Sequence, residues 1–258
     1  MRRAKPAPLQ LKSRERQVGW HLTLYLDARE AAGIFRTTVD FRVNRRDLRG
    51  ESLDPERSKL VADSRACTKM RRFVVAHRLN RLGTLTYAGE GCHDPVVLRR
   101  HVGEFFRQLR TVLGGEAFPY LWVPEWHPGG HGLHVHFAVG QYVKRSLIEQ
   151  AWGRGFVHIK LLGDLPVGST TVDEARAAAG YLAKYVGKAI DNSHVAGLHR
   201  YEVAQGFKLR TEKLFAVTLD ELLALATERM GAVPREMSTS DTWASWTGPT
   251  AVAMTWAV

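Results

Sequence analysis

Two histidines, one glutamate and two tyrosines carry the chemistry open to this chain. The stretch Trp122 to His136, WVPEWHPGGHGLHVH, reads as two short strands joined by a Gly-rich turn. In the second strand Leu133, Val135, Phe137 and Val139 alternate with His134, His136 and Ala138. Strand periodicity therefore puts both imidazoles on one face and leaves the other apolar. If the hairpin pairs without a bulge, Glu125 lies opposite His134 on the imidazole face. One carboxylate and two imidazoles then converge on a point, a candidate divalent-metal site with positions left open for a substrate. A His-x-His pair alone is often just two half-exposed polar residues; the facing Glu125 raises it above that. His127 and His131 are read as loop bystanders.

A second signal lies downstream in AGYLAKYVGKAI. Thr171 and Glu174 have capping-box spacing, and a helix is expected from there to about Ile190. Ala175, Ala178, Ala179, Leu182, Val186, Ala189 and Ile190 cover one side. Tyr181, Lys184, Tyr185 and Lys188, at i, i+3, i+4 and i+7, form a stripe on the other. A lysine near a phenol favours the phenolate and grips phosphate. A tyrosine ester of phosphate keeps the energy of a phosphodiester, so a cleavage through it is reversible. Helix tyrosines usually pack and helix lysines usually solvate, but four such groups share this stripe.

These residues need a scaffold, and the chain has the length for one. Its 258 residues suit one domain with extensions. With 37 Lys+Arg against 26 Asp+Glu, the formal charge is +11, which favours a polyanionic partner, nucleic acid before membrane. Two cysteines, Cys67 and Cys92, are too few for a disulfide framework and lack zinc-ligand spacing. There is no apolar signal core at the N-terminus and no run long enough to span a bilayer, so a cytoplasmic protein is expected.

In chain order, residues 1–17 are basic, Pro-containing and expected to be disordered. WHLTLYLD and IFRTTVDFRV read as strands, and the charged segment Asn44 to Ser58 as loop. Leu60 to Leu82 reads as a helix ended by Gly83. Its Arg71, Arg72, Arg78 and Arg81 are candidates to follow a phosphate backbone. TLTY, Thr84 to Tyr87, reads as a short strand. Asp94 and Pro95 open a helix with an apolar stripe from Leu98 to Leu113. Lys144 to Trp152 reads as a helix and Phe156 to Leu162 as a strand. His199 to Lys213 interleaves aromatics with basic residues, among them Arg200, Lys208 and Arg210, as a grip on single-stranded DNA would. Thr218 and Glu221 cap a helix to Met230. The last stretch, Asp241 to Val258, reads as an added hairpin around Gly248-Pro249.

TLTY, GLHVHFAV and YLAKYVGK, in that order, resemble the three motifs of HUH endonucleases, the rolling-circle replication initiators of plasmids and phages, most of all the actinobacterial plasmid type. The resemblance covers roughly Arg71 to Gln205. It implies an α/β (α+β) fold in which a central antiparallel β-sheet carries the histidines on a central strand, with helices packed on it and the tyrosine helix across the metal face. It implies three regions: a basic N-terminal extension (1–58), the HUH core (59–205) and a C-terminal extension (206–258). The implied activity is metal-dependent nicking and rejoining of single-stranded origin DNA through a 5′-phosphotyrosine. In that scheme His134, His136 and Glu125 hold Mg²⁺ or Mn²⁺, and Tyr185 is the safer nucleophile because related initiators keep a carboxylate where Tyr181 stands. Tyr181 serves a second transfer, and Lys184 or Lys188 stabilises phosphate charge. No G-x-x-x-x-G-K-[ST] sequence is present, so a host helicase and polymerase are expected partners. The rival readings are a relaxase or transposase with the same chemistry and a non-catalytic nucleic-acid-binding protein with structural histidines.

Overall fold

The strand with the two histidines is β5 (Leu133–Val139), and all seven of its residues are buried. In the computed structural model, which describes residues 17–37, 54–160, 162, 165–187, 195–244, 246 and 248–257, β5 is the middle of a five-stranded antiparallel sheet. On one side it pairs with β3 (Arg81–Tyr87), which pairs with the edge strand β6 (Gly155–Lys160). On the other it pairs with β4 (Tyr120–Trp126), which pairs with the two-residue β7 (Glu202–Val203).

Pro124 sits inside β4 without disturbing it. The Tyr120 carbonyl accepts the Ala204 amide on the β7 side, so Trp122 and Pro124, two and four residues on, turn their backbones the same way. β7 pairs only with Leu121 and Trp122, so the missing N–H of Pro124 has no neighbour to serve.

Each sheet face is buried for a reason legible in its side chains. Leu133, Val135, Phe137 and Val139 face α2 (Pro95–Val112) and α3 (Arg145–Trp152). α2 supplies Leu98, Val102, Phe105, Phe106 and Leu109, fully burying a stripe whose members contribute about 1.5–3 kcal/mol each. Asp94 caps α2 by accepting from the amides of Val96 and Val97, with Pro95 in the first turn. The opposite face, through Leu82, Leu121, Val123 and Ala138, meets α1 (Pro55–Ala76) and α4 (Thr171–Gly187). The expected antiparallel sheet with helices on it, histidines central and tyrosine helix across their face, is the arrangement found.

A second antiparallel sheet accompanies it. β1 (Gly19–Tyr25), β2 (Glu30–Arg36), β8 (Thr211–Ala216), β9 (Glu236–Thr239) and β10 (Ala251–Thr255) run in the order β8-β1-β2-β10-β9. Its core includes Trp20, Leu22, Leu24 and Trp256 with Leu222, Ala226 and Met230 of α5 (Leu219–Met230). The stretches 1–58 and 206–258 thus contribute strands to one sheet. The Thr218–Glu221 capping box of α5 is present.

Several expected boundaries move. The second N-terminal strand starts at Glu30 rather than Ile34, because pairing with β1 carries Ala31–Ala32–Gly33 into the ladder despite poor strand propensity. Its expected end beyond 37, with most of the loop 44–58, lies outside the described residues. α1 begins at Pro55, with Asp54 accepting from the Arg57 amide. Pro55 is a helix opener here rather than a breaker. α1 ends at Ala76, not Leu82, and Gly83 lies inside β3. The α4 cap is shifted by one residue: Thr170 and Asp173 exchange the bonds expected of Thr171 and Glu174, while the Glu174 carboxylate accepts from Asn80. Residues 188–190 of the expected helix lie outside the described residues.

Gly83 is required by packing. A Cβ there would stand 2.4 Å from Cζ of Phe137, on the next strand at the paired position. Gly83→Ala should cost about 1–3 kcal/mol in urea unfolding. Phe137→Leu in the same chain should cost less than the sum of the two single changes, because they share one volume; strict additivity would show that the ring does not set the requirement.

Candidate active site

The register of β4 against β5 pairs Glu125 with His134, without a bulge. His136, two residues on, pairs with Val123 on one side and Thr84 on the other. Strand alternation then turns Glu125, His134, His136 and Thr84 to one face. Oε2 of Glu125 lies 2.9 Å from Nε2 of His134 and 2.9 Å from Nε2 of His136, and the two nitrogens are 3.1 Å apart. The histidines are each 5% exposed and Glu125 9%. Three donor atoms this close, in a pocket with little water, are a cluster that could hold a metal ion. Burial by itself would raise the Glu125 carboxyl, but hydrogen bonds from His134 and His136 outweigh it and hold the group far below the usual carboxylate range. The carboxylate is therefore charged at neutral pH.

Thr84 stands in TLTY, but nothing in the sequence singles it out. Its Oγ1 is 3.0 Å from Nδ1 of His136. In the hydrogen-bonded state Nε2 carries the proton that goes to Glu125; were a metal ion to take that place, the Thr84 hydroxyl could accept an Nδ1 proton and leave the Nε2 lone pair free. His134 has no such support: its Nδ1 is buried and has no hydrogen-bond partner among the described residues. His127 comes within 5.4 Å of the His134 ring, but its Nδ1 accepts the Gly129 amide, as a loop residue's would.

α4 brings the tyrosines over this cluster. The Tyr185 ring stacks on His136 at 3.7 Å between centroids and 23° between planes. Its hydroxyl donates to Tyr181 Oη at 2.7 Å, and the Tyr181 ring lies 6.5 Å from that of His136. Burial first, then the hydrogen bond to Tyr181 and the charge of Glu125, push the Tyr185 phenol well above its ordinary range. Lys184 is exposed on the same helix; Lys188 lies outside the described residues. A cation missed in the sequence also stands here: Nζ of Lys160, on β6, lies 5.7 Å from the Tyr181 ring centroid. In the sequence it is an unremarkable lysine in a short strand.

The structure distributes the seven basic residues singled out for DNA. Arg71 on α1, Arg81 on β3 and Lys208 are exposed. Arg72 pairs with Glu30 and lies over the Tyr25 ring. Arg200 pairs with the buried Asp63, and Arg210 with Asp27. Arg78, beyond the end of α1, takes a left-handed turn (φ 54°) and donates to the carbonyls of Asp27 and Val75.

Residues 80–190 match the family model of Replication-associated protein ORF2. The matched span runs from just before β3 to just past α4, so it contains Glu125, both histidines, both tyrosines and Thr84. That span is under half of the chain, and its likeness is to a family of rolling-circle replication initiators. Searches of the curated proteins and of the solved structures return no match. No helix among the described residues is long and apolar enough to cross a membrane.

Thr84→Val removes the hydroxyl and keeps the shape. It should weaken Mn²⁺ binding about 10–100-fold, the usual cost of losing a group that orients a ligand histidine. Titration calorimetry measures this, and an unchanged affinity would reduce Thr84 to packing.

Proposed function

We propose that this chain initiates rolling-circle replication by nicking and rejoining single-stranded origin DNA, with Tyr185 as nucleophile. The observation that carries the proposal is the stacking of Tyr185 on His136, which places a phenol against a two-histidine, one-carboxylate cluster. In this reading residues 59–205 are the catalytic core, and 1–58 and 206–258 are additions to it.

Glu125, His134 and His136 would hold Mg²⁺ or Mn²⁺, which when bound polarises a phosphate oxygen and offsets its charge. The donor triangle of 2.9, 2.9 and 3.1 Å supports such an ion.

Tyr185 Oη attacks the phosphorus, and the bond from phosphorus to the 3′ oxygen breaks. The phenolic proton leaves along the hydrogen bond to Tyr181, which releases its own to solvent. The departing 3′ oxygen takes a proton from water and becomes the primer end, while the 5′ phosphate stays on Tyr185. Rejoining is the reverse attack by a 3′ hydroxyl. Tyr181, one hydrogen bond away, is placed for the second transfer. Lys184 and Lys188 have the role of gripping the phosphates. A host helicase and polymerase would extend the primer, and the actinobacterial plasmid setting rests on the motif resemblance alone.

The test needs no knowledge of the origin. A 3′-labelled pool of random single-stranded 40-mers is incubated with the protein and Mn²⁺ and run on a denaturing gel. A labelled protein band is expected, and peptide mapping should place the DNA on Tyr185. Tyr185→Phe should abolish the band. Tyr181→Phe should keep it but lose most strand rejoining. A DNA-bound peptide containing Tyr181 alone would reverse the roles, and an adduct in the double Tyr→Phe protein would remove α4 from the chemistry. Absence of any adduct in the wild-type protein would favour a non-catalytic binder.

His136→Ala should abolish the adduct with unchanged circular dichroism, because its lost group faces the cluster rather than the apolar core. Glu125→Ala should do the same and also lower Mn²⁺ affinity. Wild-type cleavage by either variant would refute the metal assignment.

A further inference from the structure

β6 is the exposed edge of the catalytic sheet, and its outward side chains share the face of the metal cluster. Thr84 pairs with His136 on one side and His158 on the other, so Val123, His136, Thr84 and His158 form one row across four strands. By the same register Lys160 falls in the row of Leu82 and Ala138, and Phe156 in the row of Thr86. Phe156, His158 and Lys160 are all exposed, Phe156 at 69%. The alternate residues of the strand, Val157 and Ile159, face the opposite core.

On β3, β5 and β6 no residue turned to the catalytic face is acidic: the set is Leu82, Thr84, Thr86, His134, His136, Ala138, Phe156, His158 and Lys160. The carboxylates nearby are Glu125, inside the cluster, and Glu174 of α4, which lines a cavity with Lys160 and accepts from Asn80. An edge lysine is ordinary, since it discourages pairing with other strands. An exposed phenylalanine on the same edge does the opposite and needs another reason. A ring and an ammonium group on one strand face, four residues or about 13 Å apart, match the stacked base and backbone phosphate of a single strand.

We propose that Phe156, His158 and Lys160 form the platform that seats the nucleotides flanking the cleaved phosphate. Phe156 stacks on a base, Lys160 takes a phosphate on the Tyr181 side, and His158 offers a hydrogen bond between them. The strand then lies along β6 with its scissile phosphate over the adjoining cluster. This rests on the reading that the substrate is single-stranded DNA, and it assigns the recognition to residues that no part of the cleavage chemistry uses.

The probe is fluorescein-labelled dT20, with binding to the full chain followed by anisotropy. Phe156→Ala should raise Kd about 5- to 150-fold, the range for losing one stacked base, and Phe156→Trp should restore it. Lys160→Gln should lower the slope of log affinity against log salt by about 0.7, one single-strand phosphate contact. All three side chains are exposed, so the fold should survive, with circular dichroism as control.

Wild-type affinity in Phe156→Ala would overturn the platform while adduct formation with the random pool left the cleavage reading standing. Loss of dT20 binding in that variant, in a protein that forms no adduct, would support the platform and sink the cleavage reading. If Phe156→Ala changes only the sedimentation of the free protein, the edge is a self-association surface and the proposal is wrong.

Discussion

Everything at the candidate site depends on the pairing register of β4 against β5. Glu125 meets His134 because the hairpin closes without a bulge, and the period of two then brings His136 to the same side. A slip of one residue would exchange the faces of β5, sending Leu133 and Val135 toward α4 and burying two imidazoles under α2. The apolar face of β5 prevents this. Val135 and Phe137 are at most 1% exposed among the rings and branched side chains of α2 and α3. The hydrophobic effect acts on one side of the strand and fixes the chemistry on the other.

α4 is held by the same logic. Ala178, Ala179, Leu182 and Val186 bury its apolar side against α1 and the sheet, leaving Tyr181 and Tyr185 only partly covered. The small alanines let the helix come close enough for Tyr185 to stack on His136. A phenol in that position is desolvated and faces the charge of Glu125, both of which keep it protonated.

The positive charge of the chain does two different jobs. Arg72, Arg78, Arg200 and Arg210 connect parts distant in sequence: Arg72 reaches Glu30, Arg200 reaches Asp63, and Arg78 and Arg210 both converge on Asp27. The bond from Arg210 holds the Asp27 carboxyl below its usual range, so the contact draws on a full charge at neutral pH. Arg72 and Arg78 tie the second sheet to α1 and the turn after it, Arg200 ties its own loop to α1, and Arg210 ties the approach to β8 to the β1–β2 turn. A basic composition therefore says that a polyanion is a suitable partner, but not which arginines meet it.

Local patterns are readable from the residues alone: the alternation that sorts β5 into an apolar and an imidazole face, the helical stripe of Tyr181 and Tyr185, the Asp-Pro opening of α2 and the Thr218–Glu221 cap. Each depends on residues within one turn or one hairpin, where spacing and geometry are nearly the same thing. Even locally, Asp54-Pro55 is the same opening signal as Asp94-Pro95, hidden by the charged residues before it. What lies between segments is settled only when the chain folds. Gly83 is a strand residue because Phe137, more than fifty positions away, occupies the space its side chain would need. Thr84 meets His136 because β3 pairs with β5 in one particular register, and Lys160 stands beside Tyr181 because β6 pairs with β3 in another. The strands of 19–36 and 211–255 form one sheet because pairing across nearly the whole chain closes it. Such contacts join residues whose sequence neighbours give no sign of them, and burial, not spacing, selects among the possible pairings.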